Sequence, residues 1–190
     1  MAHPVLPHEA KAGPTKAEVR AVLLRKLDLD STDHFVEVGS CTGAVTIEAA
    51  RRAGRVTALE RKSNRLETTR KNLAANDVDA AVELRRAEAP DGLPRDADAL
   101  FLGGSRNYAE VLDRAVETGI DRVVMNVARL EVAGEATEAF RDRDLLDEVV
   151  QFQVSHGYEL AGATSFDSDN PVYMLVGGVG GDDQAAEGGA

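Results

Sequence analysis

Apolar positions along this chain recur with two periods, and the switches between them mark the elements. Val19, Val22, Leu23 and Leu27 fall at helical spacing and predict an amphipathic helix over 16–27. Thr15 followed three residues later by Glu18 has the spacing of a capping box at its start. Residues 34–38 form a short apolar strand that runs into Glu37-Val38-Gly39, and Val45, Ile47, Ala49 and Ala50 place a helix over about 43–53. The next strand is 55–59, after which Ser63 is expected to cap a helix reaching Asn76. Strands are predicted at 81–84 and 99–102, a helix at 108–117, a strand within 121–127 and a helix at 131–141. Two more strands, 149–154 and 172–176, are joined through a polar stretch.

Seven strands alternating with helices of about 10–15 residues imply βαβ units, and hence an α/β, doubly wound, mostly parallel sheet. The last two strands have no helix between them and predict an antiparallel edge hairpin, with the C-terminal strand running against the others. In such a sheet the ligand sits beyond the carboxyl ends of the strands, where the strand order reverses. Residues 1–12, with Pro4 and Pro7, read as an extended arm, 13–178 as a single domain, and 179–190 as a disordered acidic tail. No repeat or internal linker divides the domain.

Composition narrows the setting. A 190-residue chain, 43% hydrophobic and 29% charged, can bury a core of its own. No stretch approaches the ~20 apolar residues that cross a bilayer, and the N-terminus lacks the basic flank and apolar block of a secretory signal. The single cysteine, Cys41, excludes an intrachain disulfide and a multi-cysteine zinc site. These features predict a cytoplasmic protein with neither a membrane nor a metal partner.

Lys+Arg 22 against Asp+Glu 33 gives a net charge of −11. That balance argues against a nucleic-acid partner, which usually needs a basic face. Lysine occurs only at 11, 16, 26, 62 and 71, alanine is abundant and tryptophan is absent, a composition that points to a high-salt, halophilic cytoplasm. At ~1 M salt the Debye length is roughly 3 Å, so net charge says little there about which partners are excluded.

The sharpest chemical signal is Glu37-Val38-Gly39-Ser40-Cys41-Thr42-Gly43, between the first strand and its helix. Glycines allow the backbone to turn tightly and approach a ligand, and a helix N-terminus favours negative charge. A dinucleotide fingerprint needs glycine at positions 39, 41 and 44; this chain has Gly39, Cys41 and Ala44, and it also lacks the Gly-Lys-Ser/Thr of a phosphate loop. The acidic-x-Gly-x-Gly-x-Gly pattern of S-adenosylmethionine (SAM) methyltransferases fits better, with Cys41 its only departure. Glu60, 21 residues after Gly39 at the tip of the second strand, is a carboxylate able to accept two ribose hydroxyls. Ala87-Glu88-Ala89-Pro90 follows the third strand, where such folds commonly hold adenine.

Further along, Gly13-Pro14-Thr15 with Glu18-Val19-Arg20, the glycine loop, Glu60-Arg61-Lys62, Thr68-Thr69, Asn72-Leu73, Glu88-Ala89-Pro90, Gly103-Gly104-Ser105 and Asn170-Pro171-Val172 occur in order. Together, across about 13–178, they resemble the CbiT family, the decarboxylating cobalt-precorrin-6B C(15)-methyltransferases. The resemblance implies a class I SAM methyltransferase fold, a homotetramer, and methylation of carbon 15 of cobalt-precorrin-6B with loss of carbon dioxide from the carbon 12 acetate. By position it implies SAM contacts from Thr15, Glu37, Gly39, Ser40, Cys41, Thr42, Gly43, Glu60, Glu88 and Ala89. Three features depart from the family: Cys41 stands in place of glycine, Glu60 and Glu88 in place of aspartates, and Arg106-Asn107 in place of a glycine pair.

On the substrate side the candidates are Gly103, Gly104, Ser105 and Arg106, with Arg129 and His156 as further partners for the tetrapyrrole's peripheral carboxylates. Methyl transfer to an enamine-like carbon demands chiefly alignment, so no catalytic acid or base is assigned. Asn170-Pro171-Val172-Tyr173 superficially resembles the Asn-Pro-Pro-Tyr motif of amine and nucleobase methyltransferases but lies after the wrong strand. Two other readings stay open: a SAM methyltransferase acting on RNA or another small metabolite, and a non-catalytic SAM-binding subunit.

Overall fold

The computed structural model describes residues 3–104 and 106–180. Strands and helices alternate through most of the chain, except that the third and fourth strands follow one another with no helix between them. Strands β1 (His34–Val38), β2 (Arg55–Leu59), β3 (Ala81–Arg85), β4 (Ala99–Leu102) and β5 (Arg122–Val127) pair in parallel. Helices α1 (Ala17–Leu27), α2 (Ala44–Ala49), α3 (Ser63–Ala74), α4 (Tyr108–Thr118) and α5 (Leu130–Arg141) cover its faces. The last four strands are β6 (Leu146–Phe152), β7 (Ser155–Leu160), β8 (Ala163–Ser168) and β9 (Val172–Gly177). The main sheet has seven strands in the order β3-β2-β1-β4-β5-β9-β6, with β9 antiparallel to both neighbours.

Buried strands explain the apolar runs. In β1 and β4 every apolar residue except the half-buried Val38 is buried, because helices lie on both faces. On one face Val36, Leu100, Leu102, Met125 and Phe140 form one cluster; on the other Phe35, Phe101, Val124 and Met174 pack with Leu23 and Leu27 of α1.

Several local expectations are corrected. The capping box does not form: Lys16 is the N-cap of α1, no side chain caps it, and the Thr15 carbonyl instead accepts from the Arg20 guanidinium. Ser63 is the first residue of α3 rather than its cap, which is Lys62. The helix expected over 43–53 closes at Ala49, so it is too short to bring a strong dipole to the loop before it. The edge hairpin is also redrawn. The chain inserts β9 between β5 and β6, leaving β6 on the edge, and the polar stretch contains a separate antiparallel pair, β7–β8. That pair escaped the pattern because both strands are exposed along nearly all their length, so neither shows apolar alternation.

Candidate active site

The strand order reverses between β1 and β4, and the carboxyl ends of those two strands meet there. The Gly103 amide donates to the Val38 carbonyl at 2.9 Å, and the Gly39 amide to the Leu59 carbonyl at 2.8 Å. Gly39 has φ +91°, and a Cβ on it would lie 3.6 Å from the Gly104 nitrogen. A Cβ on Gly103 would stand 3.3 Å from the Gly39 carbonyl oxygen and 3.2 Å from the Phe101 ring. The left-handed turn favours glycine at 39 and the close approach favours it at 103, and together they let the two backbones close one end of a cleft of about 300 Å³, the size of a small-molecule site.

This cleft gathers most of the expected residues. Thr15, Glu37, Gly39, Ser40, Cys41, Thr42, Glu60, Glu88 and Ala89 line it, as do Gly103, Gly104 and Arg106. Gly43 sits just behind the wall as the left-handed N-cap of α2. Ser105 lies outside the described residues. Arg129, the N-cap residue of α5, and His156 are not brought to the cleft. His156 stands exposed on β7 with its Nε2 3.5 Å from Asp169. Arg106 reaches the cleft already paired, its Nε 3.3 Å from the Glu88 carboxylate.

Sequence reasoning missed a second group of wall residues. Ala12 at the end of the arm with Gly13 and Pro14 after it, Val38, Leu59 and Phe101 from strand ends, and Arg61 and Arg65 around the start of α3 also line the cleft. Arg61 and Arg65 follow Glu60 closely and were legible as cations flanking a ligand site. The apolar ones carry no signal distinguishing cleft wall from core. Arg20 supports the arm from below: it is buried, pairs with Glu48 at 2.8 Å, and holds the Thr15 carbonyl.

Two buried carboxyl groups define the electrostatics. Glu37 is buried in the cleft wall and accepts the Thr46 hydroxyl. Burial pushes its carboxyl up to about 7, against the opposing hydrogen bond from Thr46 and with a smaller push from the Glu60 charge. Glu60 is also buried, with Oε1 accepting the Lys62 amide at 2.9 Å. A carboxylate has about four acceptor positions, so Glu60 retains capacity for a diol. Cys41 holds a left-handed backbone at φ +52°, unusual for a side-chain-bearing residue. Its Sγ lies 3.9 Å from the Gly13 carbonyl, and burial pushes the thiol up, away from a reactive thiolate.

The loop is fixed from behind by α3. Ser40 and Thr69 share a hydroxyl contact of 2.9 Å, Thr69 donates to the Cys41 carbonyl at 3.1 Å, and Asn72 Nδ2 donates to the Thr42 carbonyl at 2.8 Å. Among the described residues no cluster of His, Cys, Asp and Glu is arranged to hold a metal ion.

The family profile described as "Precorrin methyltransferase domain" matches residues 8–177. This chain belongs to the precorrin methyltransferase family. A protein of Halobacterium salinarum named "probable cobalt-precorrin-6B C(15)-methyltransferase (decarboxylating)" is 77% identical over 185 residues, covering 97% of this chain and 99% of that one. A Methanosarcina mazei protein of the same name is 37% identical over 172 residues, covering 87% and 93%. Among solved structures, a precorrin 8w decarboxylase of Methanobacterium thermoautotrophicum is 31% identical with a TM-score of 0.82, covering 88% of this chain and 92% of that one. A precorrin-6Y C5,15-methyltransferase of Geobacter metallireducens is 34% identical with a TM-score of 0.82, covering 90% and 94%. The seven-stranded sheet with its one reversed strand is thus shared with precorrin methyltransferase structures.

Proposed function

We propose that this chain is a SAM-dependent C-methyltransferase of cobalamin biosynthesis, methylating carbon 15 of cobalt-precorrin-6B and releasing the carbon 12 acetate carboxyl as carbon dioxide. The observation that carries the reading is Glu60, a carboxylate buried in the wall of the cleft directly beside the Gly39–Cys41 loop.

The residues present fit SAM. Glu60 can receive ribose hydroxyls, and Leu59, Ala87 and Ala89 offer an apolar slot for a flat base beside Glu88. The backbone of Gly39, Ser40, Cys41, Thr42 and Gly43, with Thr15 opposite, provides the remaining polar groups. When bound, SAM supplies a methyl group made electrophilic by its sulfonium. The chain's own part is to hold and align. Gly103 and Gly104, with Ser105 and Arg106, would form the substrate edge; nothing within 4 Å would meet a Cβ at Gly104, so that side is open to a broad ligand. Arg106 would exchange Glu88 for a ring carboxylate, a swap that keeps its charge paired. Decarboxylation breaks the bond between the acetate methylene and its carboxyl carbon. That bond's electron pair passes into the ring π-system as carbon dioxide leaves, and a proton from solvent then completes the methyl group, so the chain's part is desolvation of the carboxylate rather than a named base.

We further place the enzyme in a cytoplasm of high salt and assign it a homotetramer. The exposed β7–β8 hairpin supports an oligomer: an isolated two-stranded sheet is marginal in water, and Tyr158, Leu160 and Phe166 stand exposed on it. Sedimentation of the protein and of Phe166→Asp tests this, with dissociation of a tetramer expected and an unchanged mass counting against the hairpin.

The function itself is tested with labelled SAM and a panel of precorrins in about 1 M potassium chloride, where screening weakens repulsion between an anionic ring and an acidic protein. Stoichiometric methyl transfer and carbon dioxide release from a cobalt-precorrin are expected. Methylation of RNA or of small amines, with none of the ring, would overturn the reading.

A further inference from the structure

The arm and the glycine loop are joined through one side chain. Asn72 of α3 is fully buried. Its Oδ1 accepts the His8 amide at 2.9 Å, and its Nδ2 donates both to the His8 carbonyl at 2.8 Å and to the Thr42 carbonyl at 2.8 Å. Both amide hydrogens of Asn72 are thereby used. One turn further on, Asn76 repeats half of this arrangement: its Oδ1 accepts the Val5 amide at 2.9 Å and its Nδ2 donates to the Val5 carbonyl at 2.7 Å. Two side-chain amides thus pair with the arm as a neighbouring strand would, each exchanging a donor and an acceptor with one arm residue. Val5 itself is 57% exposed, so its apolar side chain adds little to that hold.

The arm leads directly into Ala12–Thr15 in the wall of the cleft, where the Cys41 thiol meets the Gly13 carbonyl. Resting on the SAM reading above, we infer that Asn72 is a positioning residue for the cofactor: it sets arm and loop at a fixed separation on either side of the SAM site, with Asn76 anchoring the outer end of the arm. Neither asparagine lines the cleft. They act through the segments they hold, by reducing the ordering that SAM binding must otherwise supply.

This predicts a dependence on a backbone N–H that a merely structural side chain would not show. His8→Pro removes the donor to Asn72 Oδ1 together with the imidazole and the freedom of φ at residue 8, while touching no residue of α3 or the glycine loop. His8→Ala keeps the donor and removes the imidazole alone, and so isolates the backbone effect. His8 is exposed and outside the core, so both variants fold. S-adenosylhomocysteine binding is measured by calorimetry, amide exchange is followed at Val5 and Gly13, and kinetics are run against both substrates. For His8→Pro the expected result is affinity lowered roughly fivefold or more, the scale of an added ordering cost. Protection of both amides should fall, and KM for SAM should rise with kcat at saturating SAM unchanged. His8→Ala should match the parent protein in every readout, and Asn76→Ala should lose protection at Val5 with a smaller loss of affinity. Full affinity in His8→Pro alongside a parent protein that binds would overturn the inference alone. A parent protein that fails to bind S-adenosylhomocysteine would overturn the SAM reading and this inference with it.

Discussion

The hydroxyl of Thr46, on α2, is donated to the carboxylate of Glu37, near the end of β1, where Glu37 is buried in the wall of the cleft. The bond ties the start of the glycine loop to the helix that follows it. One hydrogen bond does not offset the loss of water around the charge, so the carboxyl holds its proton up to about 7 against an ordinary value of 4.5.

That pair predicts a pH dependence of stability. Between those two values the folded chain keeps a proton that the unfolded chain releases, so raising the pH disfavours folding. The contribution is fully present below the ordinary value and is lost as pH rises through about 7. It amounts to something on the order of 3 kcal/mol if the whole shift is realised. Glu37→Gln, which keeps an acceptor for Thr46 but cannot ionise, should lose less stability than the parent between about pH 5 and about pH 7.5. Denaturant titrations at fixed salt provide the comparison, and parallel losses in both proteins would contradict the assignment.

Glu60→Ala should lower S-adenosylhomocysteine affinity by about tenfold or more, since removing a charged hydrogen-bond partner costs about 1.5–3 kcal/mol. The fold should survive, because the Lys62 amide that Glu60 now engages lies at a helix start open to water. Calorimetry on both proteins decides it; equal affinity would mean that the ribose is held elsewhere.

Cys41→Gly should bind S-adenosylhomocysteine at least as well as the parent. Relief of the left-handed strain, worth about 1 kcal/mol, is offset by glycine's greater freedom when unfolded, worth about 0.5–1 kcal/mol. Stability should therefore change little, whereas Cys41→Val should lose about 2 kcal/mol because a branched side chain is a poor fit at positive φ. Thermal melts separate the two. A Cys41→Gly protein that binds normally but turns over poorly would give the thiol a chemical role.

Arg106→Ala should leave the melting temperature nearly unchanged, since its ion pair with Glu88 is exposed on both sides and such pairs contribute about 0–1 kcal/mol. It should raise KM for the tetrapyrrole more than KM for SAM. Initial rates at varied concentrations of each substrate test this, and an equal rise in both would move Arg106 to the cofactor side.

Much of the core and the loop was legible from sequence. Runs such as Val36 and Phe35 or Leu100 and Phe101 announce strands buried on both faces, and glycines after two such runs announce a close backbone approach. These are local signals: period, turn chemistry and the sterics of a missing Cβ act within a few residues, so the chain's order alone expresses them. The placement of β9 between β5 and β6 could not be read that way, because it depends on which strand edge is left open once the parallel strands have assembled. The β7–β8 pair was hidden for the opposite reason, having no buried face to imprint a period.

The site divides along the same line. Gly39, Glu60 and Gly103 carry their chemistry in their types and spacing, and the fold only had to bring them together. The burial that protonates Glu37, the pairing of Arg106 with Glu88 and the double hold of Asn72 on His8 and Thr42 were decided by tertiary structure alone. Each depends on desolvation or on partners between 9 and 64 residues away, and neither is encoded in local sequence. Solvent exclusion and long-range pairing exist only after the chain has closed on itself.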